Sequence, residues 1–260
     1  MRKKHFVFLI FLSLLFSISA KQQPPLNFMQ GKPNESLNYD VYFQWGFIWK
    51  KAGMAVLAME PSYYDGNPSY LMSLTGRTTP FFDKVTKVRD TLIAHTTKDI
   101  KPLHYEKVVH EGDYVAKDLL KYTYPDSGTN GRVKQFRSGT LRRDTLIHVR
   151  GEAYDMLSVF YFIRQYDLAA MKPGDRINTV VFSGRHAHKV QIQYVRDDRY
   201  KTPNNKNYDC YLLKVYFFDE NGKVNKNDNI DVWISKTPDK KPVHMAGKLK
   251  VGYLRAIINE

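Results

Sequence analysis

Apolar and polar residues alternate along most of this chain, and one stretch breaks the alternation. Tyr39, Val41, Phe43 and Trp45 fall on one face of an extended segment, with Asp40, Tyr42 and Gln44 on the other. Met54, Val56 and Ala58 repeat the pattern within 49–60. A period of two predicts half-buried strands. Further strands are expected over 69–77, 86–95, 103–111, 114–124, 132–137 and 140–149. Six more follow over 176–182, 189–196, 208–219, 229–235, 242–250 and 253–258. Turn clusters such as Asp65-Gly66-Asn67-Pro68, Pro125-Asp126-Ser127-Gly128 and Glu220-Asn221-Gly222 separate them. A dozen or so strands with short turns predict an all-β fold, one meandering antiparallel sheet. A sheet that wide curls or closes into a barrel.

The exception runs from Gly151 to Asp175. Met156, Val159, Phe160, Ile163 and Tyr166 recur at the three- and four-residue spacing of a helix face. Leu157, Tyr161 and Phe162 extend the apolar character around most of the circumference, which predicts a buried helix over 154–166. Asp155 is placed to cap its start, and Lys172-Pro173-Gly174-Asp175 to close the segment. The helix should plug or cover the curled sheet. Leu212 to Phe218, apolar on both faces, is the expected strand beneath it.

The first residues predict export. Arg2, Lys3 and Lys4 precede the apolar run Phe6 to Phe16, and Ser17-Ile18-Ser19-Ala20 supplies a cleavage site. The run is shorter than the roughly 20 residues of a transmembrane helix. No cysteine follows it, so a lipid anchor is not expected; the chain's single cysteine is Cys210. The organisation expected is a signal peptide (1–20), a flexible Pro- and Gln-rich arm (21–37) and one barrel-like domain (38–260), with a periplasmic destination and no transmembrane segment after processing. The formal net charge of +14 is spread singly along strands. It suits anionic lipid headgroups or acidic glycans better than nucleic acid, for which no motif exists.

Chemistry is sparse. His186 and His188 would point the same way on a strand, but Arg185 and Lys189 repel a cation and no third ligand is placed by spacing. Ser158 lacks the Gly-x-Ser-x-Gly elbow, Cys210 sits within a strand, and no phosphate-cradling loop, dinucleotide fingerprint or zinc motif is present. Neither a catalytic residue nor a metal or cofactor is therefore expected. Arg89-Asp90-Thr91-Leu92-Ile93 recurs as Arg143-Asp144-Thr145-Leu146-Ile147. Thr91 and Thr145 look like Asp-Thr-apolar sites at which Bacteroidota glycosylate exported proteins. Aromatic residues reach 14%, with 18 Tyr and 15 Phe. Tyr39, Tyr42, Phe43, Trp45, Phe47 and Trp49 crowd one hairpin.

Three blocks carry a resemblance. Tyr154-Asp155-Met156-Leu157-Ser158, Arg164 and Pro173-Gly174-Asp175 form the first. Tyr39-Asp40-Val41, Trp45-Gly46 and Ala52-Gly53 form the second, and Val232-Trp233-Ile234, Pro242-Val243 and Gly252 the third. Taken in chain order, 39–53, 154–175 and 232–252, they resemble the exported bacterial proteins grouped as domain of unknown function 3108, in an aromatic-rich version similar to those of Bacteroidota. The resemblance implies an all-β, barrel-like exported domain without an established activity. Arg164, beside Phe160 and Leu157 on the helix, should be partly buried and need a carboxylate or carbonyl partners. It is either a clamp between helix and sheet or a ligand for an anionic headgroup.

The leading expectation is a non-catalytic module binding a hydrophobic or amphipathic envelope molecule. Its cleft would be lined by Tyr39, Val41, Phe43, Trp45, Phe160 and Ile163, with Arg164 or a nearby lysine at the headgroup. A structural or interaction protein with a filled core is the alternative, and a glycan or lipid hydrolase a third possibility.

Overall fold

A computed structural model describes residues 34–218, 222–224, 229–249 and 251–260. The expected signal peptide (1–20) and residues 21–33 of the arm lie outside the described residues. Among the described residues there are fourteen strands. Eight precede the helix: β1 (Glu35–Trp45), β2 (Ile48–Tyr64), β3 (Asn67–Thr78), β4 (Arg89–Thr96), β5 (Pro102–Glu111), β6 (Tyr114–Thr123), β7 (Thr129–Arg137) and β8 (Thr140–Val149). A short helix, α1 (Pro80–Asp83), interrupts β3 and β4. After α2 (Ser158–Arg164) come β9 (Arg176–Ser183), β10 (His186–Lys201), β11 (Asn207–Phe217), β12 (Ile230–Ser235), β13 (Pro242–Lys248) and β14 (Tyr253–Ile258).

All fourteen form one antiparallel sheet, ordered from β8 down to β1 and then from β14 down to β9. The first and last strands therefore meet in the middle of the sheet, Tyr39 opposite Ile258. The two edges are the strands that flank α2. Period-two alternation builds the inner face. Met59, Met72, Ala94, Tyr105, Leu120 and Val133 are opposite one another in turn across β2 to β7, and all six are buried.

Among the described residues β8 and β9 do not pair, so the curl is not sealed by a ladder. Instead, the free edge of β9 takes up the chain entering α2. Tyr154 N–H donates to the Val180 carbonyl (2.9 Å), and Phe182 N–H to the Tyr154 carbonyl (2.8 Å). Phe182 then reaches across to the inner face of β6 and β7 and stacks on Tyr122, ring centroids 5.8 Å apart. Gly131 makes the space. A Cβ there would lie 2.7 Å from Leu120 Cδ1 and 2.8 Å from the Phe182 ring. Side-chain packing thus closes what backbone pairing leaves open.

A smaller aromatic cluster joins β10, β12 and β13. His244 is opposite Trp233 and Ile257 in the register. Its ring lies 4.4 Å from both the Tyr200 and Trp233 rings, and Trp233 Nε1–H donates to Asp198 Oδ2 (2.9 Å).

Several boundaries differ from those the alternation suggests, and two of the differences bear on the site. β1 begins at Glu35, and Leu37, assigned above to the arm, is buried. The helix is two turns, not the 154–166 of the periodic stretch, because Tyr154 is committed to β9 and Asp155 to capping. Nor is it apolar-buried all round: Val159 and Phe160 are half-buried and Met156 is 39% exposed.

Candidate functional site

The site is built around α2. Asp155 accepts from Leu157 N–H (2.9 Å) and Ser158 N–H (2.7 Å) through Oδ1. Ser158 Oγ donates to Asp155 Oδ2 (2.8 Å) and accepts from Asp155 N–H (3.1 Å). This reciprocal box satisfies the open amides of the first turn. Burial pushes the Asp155 carboxyl up to about 6, against the lowering effect of its Ser158 and Leu157 hydrogen bonds. Tyr105, Tyr122 and Tyr124 surround it; burial first, then the Asp155 charge, holds all three phenols above their ordinary range.

At the other end of α2, Arg164 is fully buried. Its Nη1–H donates to Glu35 Oε1 (2.7 Å), and Nη2–H to Glu35 Oε2 (2.5 Å) and the Asp239 carbonyl (2.7 Å). The guanidinium carbon is 5.1 Å from the centre of the Tyr161 ring. Burial opposes the Arg164 charge, and the Glu35 carboxylate more than offsets it, so its pKa stands above the ordinary value. Tyr39 is buried beside this pair and donates to the Pro242 carbonyl (2.8 Å). The clamp between helix and sheet is what the geometry contains.

The remaining face of α2 borders a cavity. Met156, Val159, Phe160 and Ile163 look across about 160 Å³ at Val181, Val190, Leu213, Val215, Phe217, Ile230, Val232, Ile234 and Pro242. Every lining residue is apolar. β11 supplies Leu213, Val215 and Phe217, so the strand expected beneath the helix is the one found there.

Two larger recesses differ in character. One of about 540 Å³ beside β9 is amphipathic, with Glu152, Tyr154, Phe162, Lys189 and Phe218 among its walls. The other, of about 710 Å³, is an open groove across β1 to β4 that includes Asp40, Met54, Arg77, Arg89 and Thr91. Asp40 is already paired with Lys51 (2.6 Å), and Arg89 with Asp83 (2.7 Å). Affinity for an apolar group scales with the water-exposed apolar area removed. By that measure the small cavity beside α2 outranks the larger recesses.

The structure divides the residues expected to share a cleft. Phe160 and Ile163 line the cavity, but its other wall is β9 to β13 rather than β1. Tyr39 lies with Arg164, Phe43 is half-buried, and Trp45 is exposed at a hairpin end. Leu213 and Val215 fall on the strand that its two-sided apolarity placed beneath the helix, whereas Ile230 and Glu35 were missed, and nothing in the sequence singles out Glu35.

Thr91 sits within β4, half-buried on the outer groove, and Thr145 within β8, also half-buried. Their repeated pentapeptides occupy unlike settings: Arg89 pairs with Asp83, whereas Asp144 pairs with Arg132. His186 and His188 have ring centroids 6.0 Å apart, and Arg185 Nε–H donates to His186 Nε2 (2.9 Å). Among the described residues no three His, Cys, Asp or Glu side chains converge as a metal site. Cys210 is a buried free thiol, and burial pushes it up to about 12. No helix among the described residues is long and apolar enough to cross a membrane.

An unclosed, barrel-like antiparallel sheet wrapped around a clamped helix is the class of protein these features define. Residues 38–259 match the family described as protein of unknown function (DUF3108), and the chain belongs to that family. Among solved structures it is similar to the crystal structure of a beta-barrel-like protein of domain of unknown function DUF1849 from Brucella abortus. The TM-score is 0.58 at 9% identity, over 87% of this chain and 96% of that one. At that identity the likeness is one of fold. No curated protein matches.

Proposed function

We propose that this protein is an exported, non-catalytic binding or carrier module of the cell envelope, which holds the apolar end of a hydrophobic or amphipathic molecule against α2. The observation that carries the reading is the wholly apolar lining of the cavity between α2 and β9 to β13. Apolar cavities of about 150 Å³ stay dry and accept benzene-sized guests, so this one suits a ring or a chain end. It is below the roughly 300 Å³ at which sites enclosing a whole drug-sized ligand begin. A single acyl chain would place only its end inside, with the remainder passing the exposed Met156. Arg164 does not supply the headgroup contact in this reading, because Glu35 and Asp239 already engage both of its terminal nitrogens.

Delipidated protein titrated with a fluorescent fatty acid tests this. One saturable site, weakened at least about tenfold by Val215→Phe, is expected. No saturable binding, or binding indifferent to that substitution, would overturn it.

A further inference from the structure

Two hairpins that the cavity does not use lie side by side at one end of the barrel. β1 and β2 turn over at Gly46 (φ 56°), and β13 and β14 at Gly252 (φ 77°). Because Phe43 is opposite Leu254 and Gln44 opposite Tyr253, the two tips are neighbours. The first exposes Trp45, Phe47 and Trp49; the second exposes Leu249, Val251 and Tyr253. Phe47 is 99% exposed, which for a phenyl ring is a standing cost in water.

We propose that these tips form a docking surface for an anionic lipid bilayer. Charge supports that occupant. The segment 44–51 holds Lys50 and Lys51 and no acid, and 248–255 holds Lys248, Lys250 and Arg255 and no acid. Arg255 lies between the aromatic rings, 5.6 Å from the centre of Trp49 and 5.4 Å from that of Tyr253. Lys51 is partly neutralised by Asp40, which leaves the local balance basic.

Order along the hairpins supports it further. Phe47 and Val251 are near the apices, Trp45, Trp49 and Tyr253 come next, and Lys50, Lys51, Lys248 and Arg255 lie behind or among these rings. That sequence matches the hydrocarbon edge, the interfacial belt favoured by Trp and Tyr, and the phosphate layer. A protein partner fits less well, since protein interfaces are depleted of lysine. The cross-strand row Phe43, Leu254, Gly247, Ile230 brings this end of the barrel to the end of the cavity where Ile230 sits. The docking surface nonetheless stands without any ligand in the cavity.

The test is flotation of protein recovered from the exporting cell with vesicles of phosphatidylglycerol or of phosphatidylcholine. Binding to the anionic vesicles alone is expected, with release at high salt. Trp45→Ser combined with Phe47→Ser should reduce it about tenfold, and Lys50→Glu should weaken it less. Both variants should melt with the wild type, because the substituted side chains are exposed. No flotation, equal flotation with neutral vesicles, or flotation unchanged by the double variant would overturn the proposal. So would a soluble protein that binds through Phe47 in place of lipid. Val215→Phe should leave flotation intact, which separates failure here from failure of the cavity reading.

Discussion

Arg164 and Glu35, 129 residues apart in the chain, meet as a two-pronged ion pair inside the barrel, at 2.7 and 2.5 Å. It ties α2, which links the two sheet edges, to β1 at the sheet's centre. A buried pair is weak evidence of net stabilisation, because desolvation of both charges opposes their attraction. Removing one member is different, since it strands the other charge. Arg164→Met or Glu35→Gln should each cost about 3–5 kcal/mol, whereas Arg164→Met with Glu35→Leu should recover much of the loss. Denaturant unfolding of the three variants measures this. Equal losses in singles and double would show that packing, not charge pairing, is what Arg164 contributes.

That pair also shows where reading the sequence stops. Alternation in β1 to β14 is local, so the strands, their order as a meander and the strand under α2 were legible. Asp155 was legible as a cap from its place before the periodic stretch, whereas the part Ser158 takes in the box was not read. Glu35 was not, because a single carboxylate beside a Pro-rich stretch has no period and its partner lies across the fold. The expected cleft failed for a related reason. Tyr39, Phe43 and Trp45 do share a strand face, but alternation cannot say which part of a curled sheet confronts which side of a helix. Trp45, expected to line the cleft, lies instead at a hairpin tip, and that place makes both it and Phe47 surface.

Acid stability should be governed by two groups acting in opposite senses. Burial, with Arg255 adding to it, depresses His244 to about 3. The unfolded chain takes up a proton near pH 6.5 that the fold refuses, so stability is lost as pH falls from about 6.5 towards 3. Burial raises Asp155 to about 6 instead. There the fold takes up the proton first, so stability is gained as pH falls from about 6 to 4. At about 1.4 kcal/mol per pKa unit, His244 is worth on the order of 5 kcal/mol and Asp155 on the order of 3 kcal/mol. The wild type should lose stability on acidification, and His244→Phe should lose less. Asp155→Asn should lose more. Melting temperatures of the three between pH 4 and 7 check it; parallel profiles would refute both assignments.

Gly131 is required by proximity and not by its backbone angles. Phe182 and Leu120 already fill the place of a Cβ, and Phe182 belongs to the strand that closes the curl. Gly131→Ala should cost about 1–3 kcal/mol, the usual range for overpacking. Gly76→Ala, where no atom lies within 4 Å of the added carbon, is the matched control. Hydrogen exchange should locate the damage, with faster exchange at the Tyr154 and Phe182 amides that join α2's entry to β9. Uniform loss across the sheet would mean that the overlap is not a separate closure.

The cavity beside α2 should be tunable in both directions. Val159 borders it and is only half-buried. Val159→Leu adds one methylene towards the empty volume, and a buried methylene is worth about 0.8 kcal/mol. That variant should be slightly more stable than the wild type. Ile163→Ala, from the more buried side of the same lining, should cost about 2–5 kcal/mol, because it removes apolar contact and enlarges the void. Leu157→Ala, which is fully buried away from this lining, should cost a similar amount. Binding then distinguishes the two destabilised variants. Ile163→Ala should admit a bulkier aromatic probe than the wild type, whereas Leu157→Ala should leave the size limit where it was. Calorimetric titration with benzene and a branched alkylbenzene supplies the comparison. Identical limits in all three variants would mean that guests enter elsewhere.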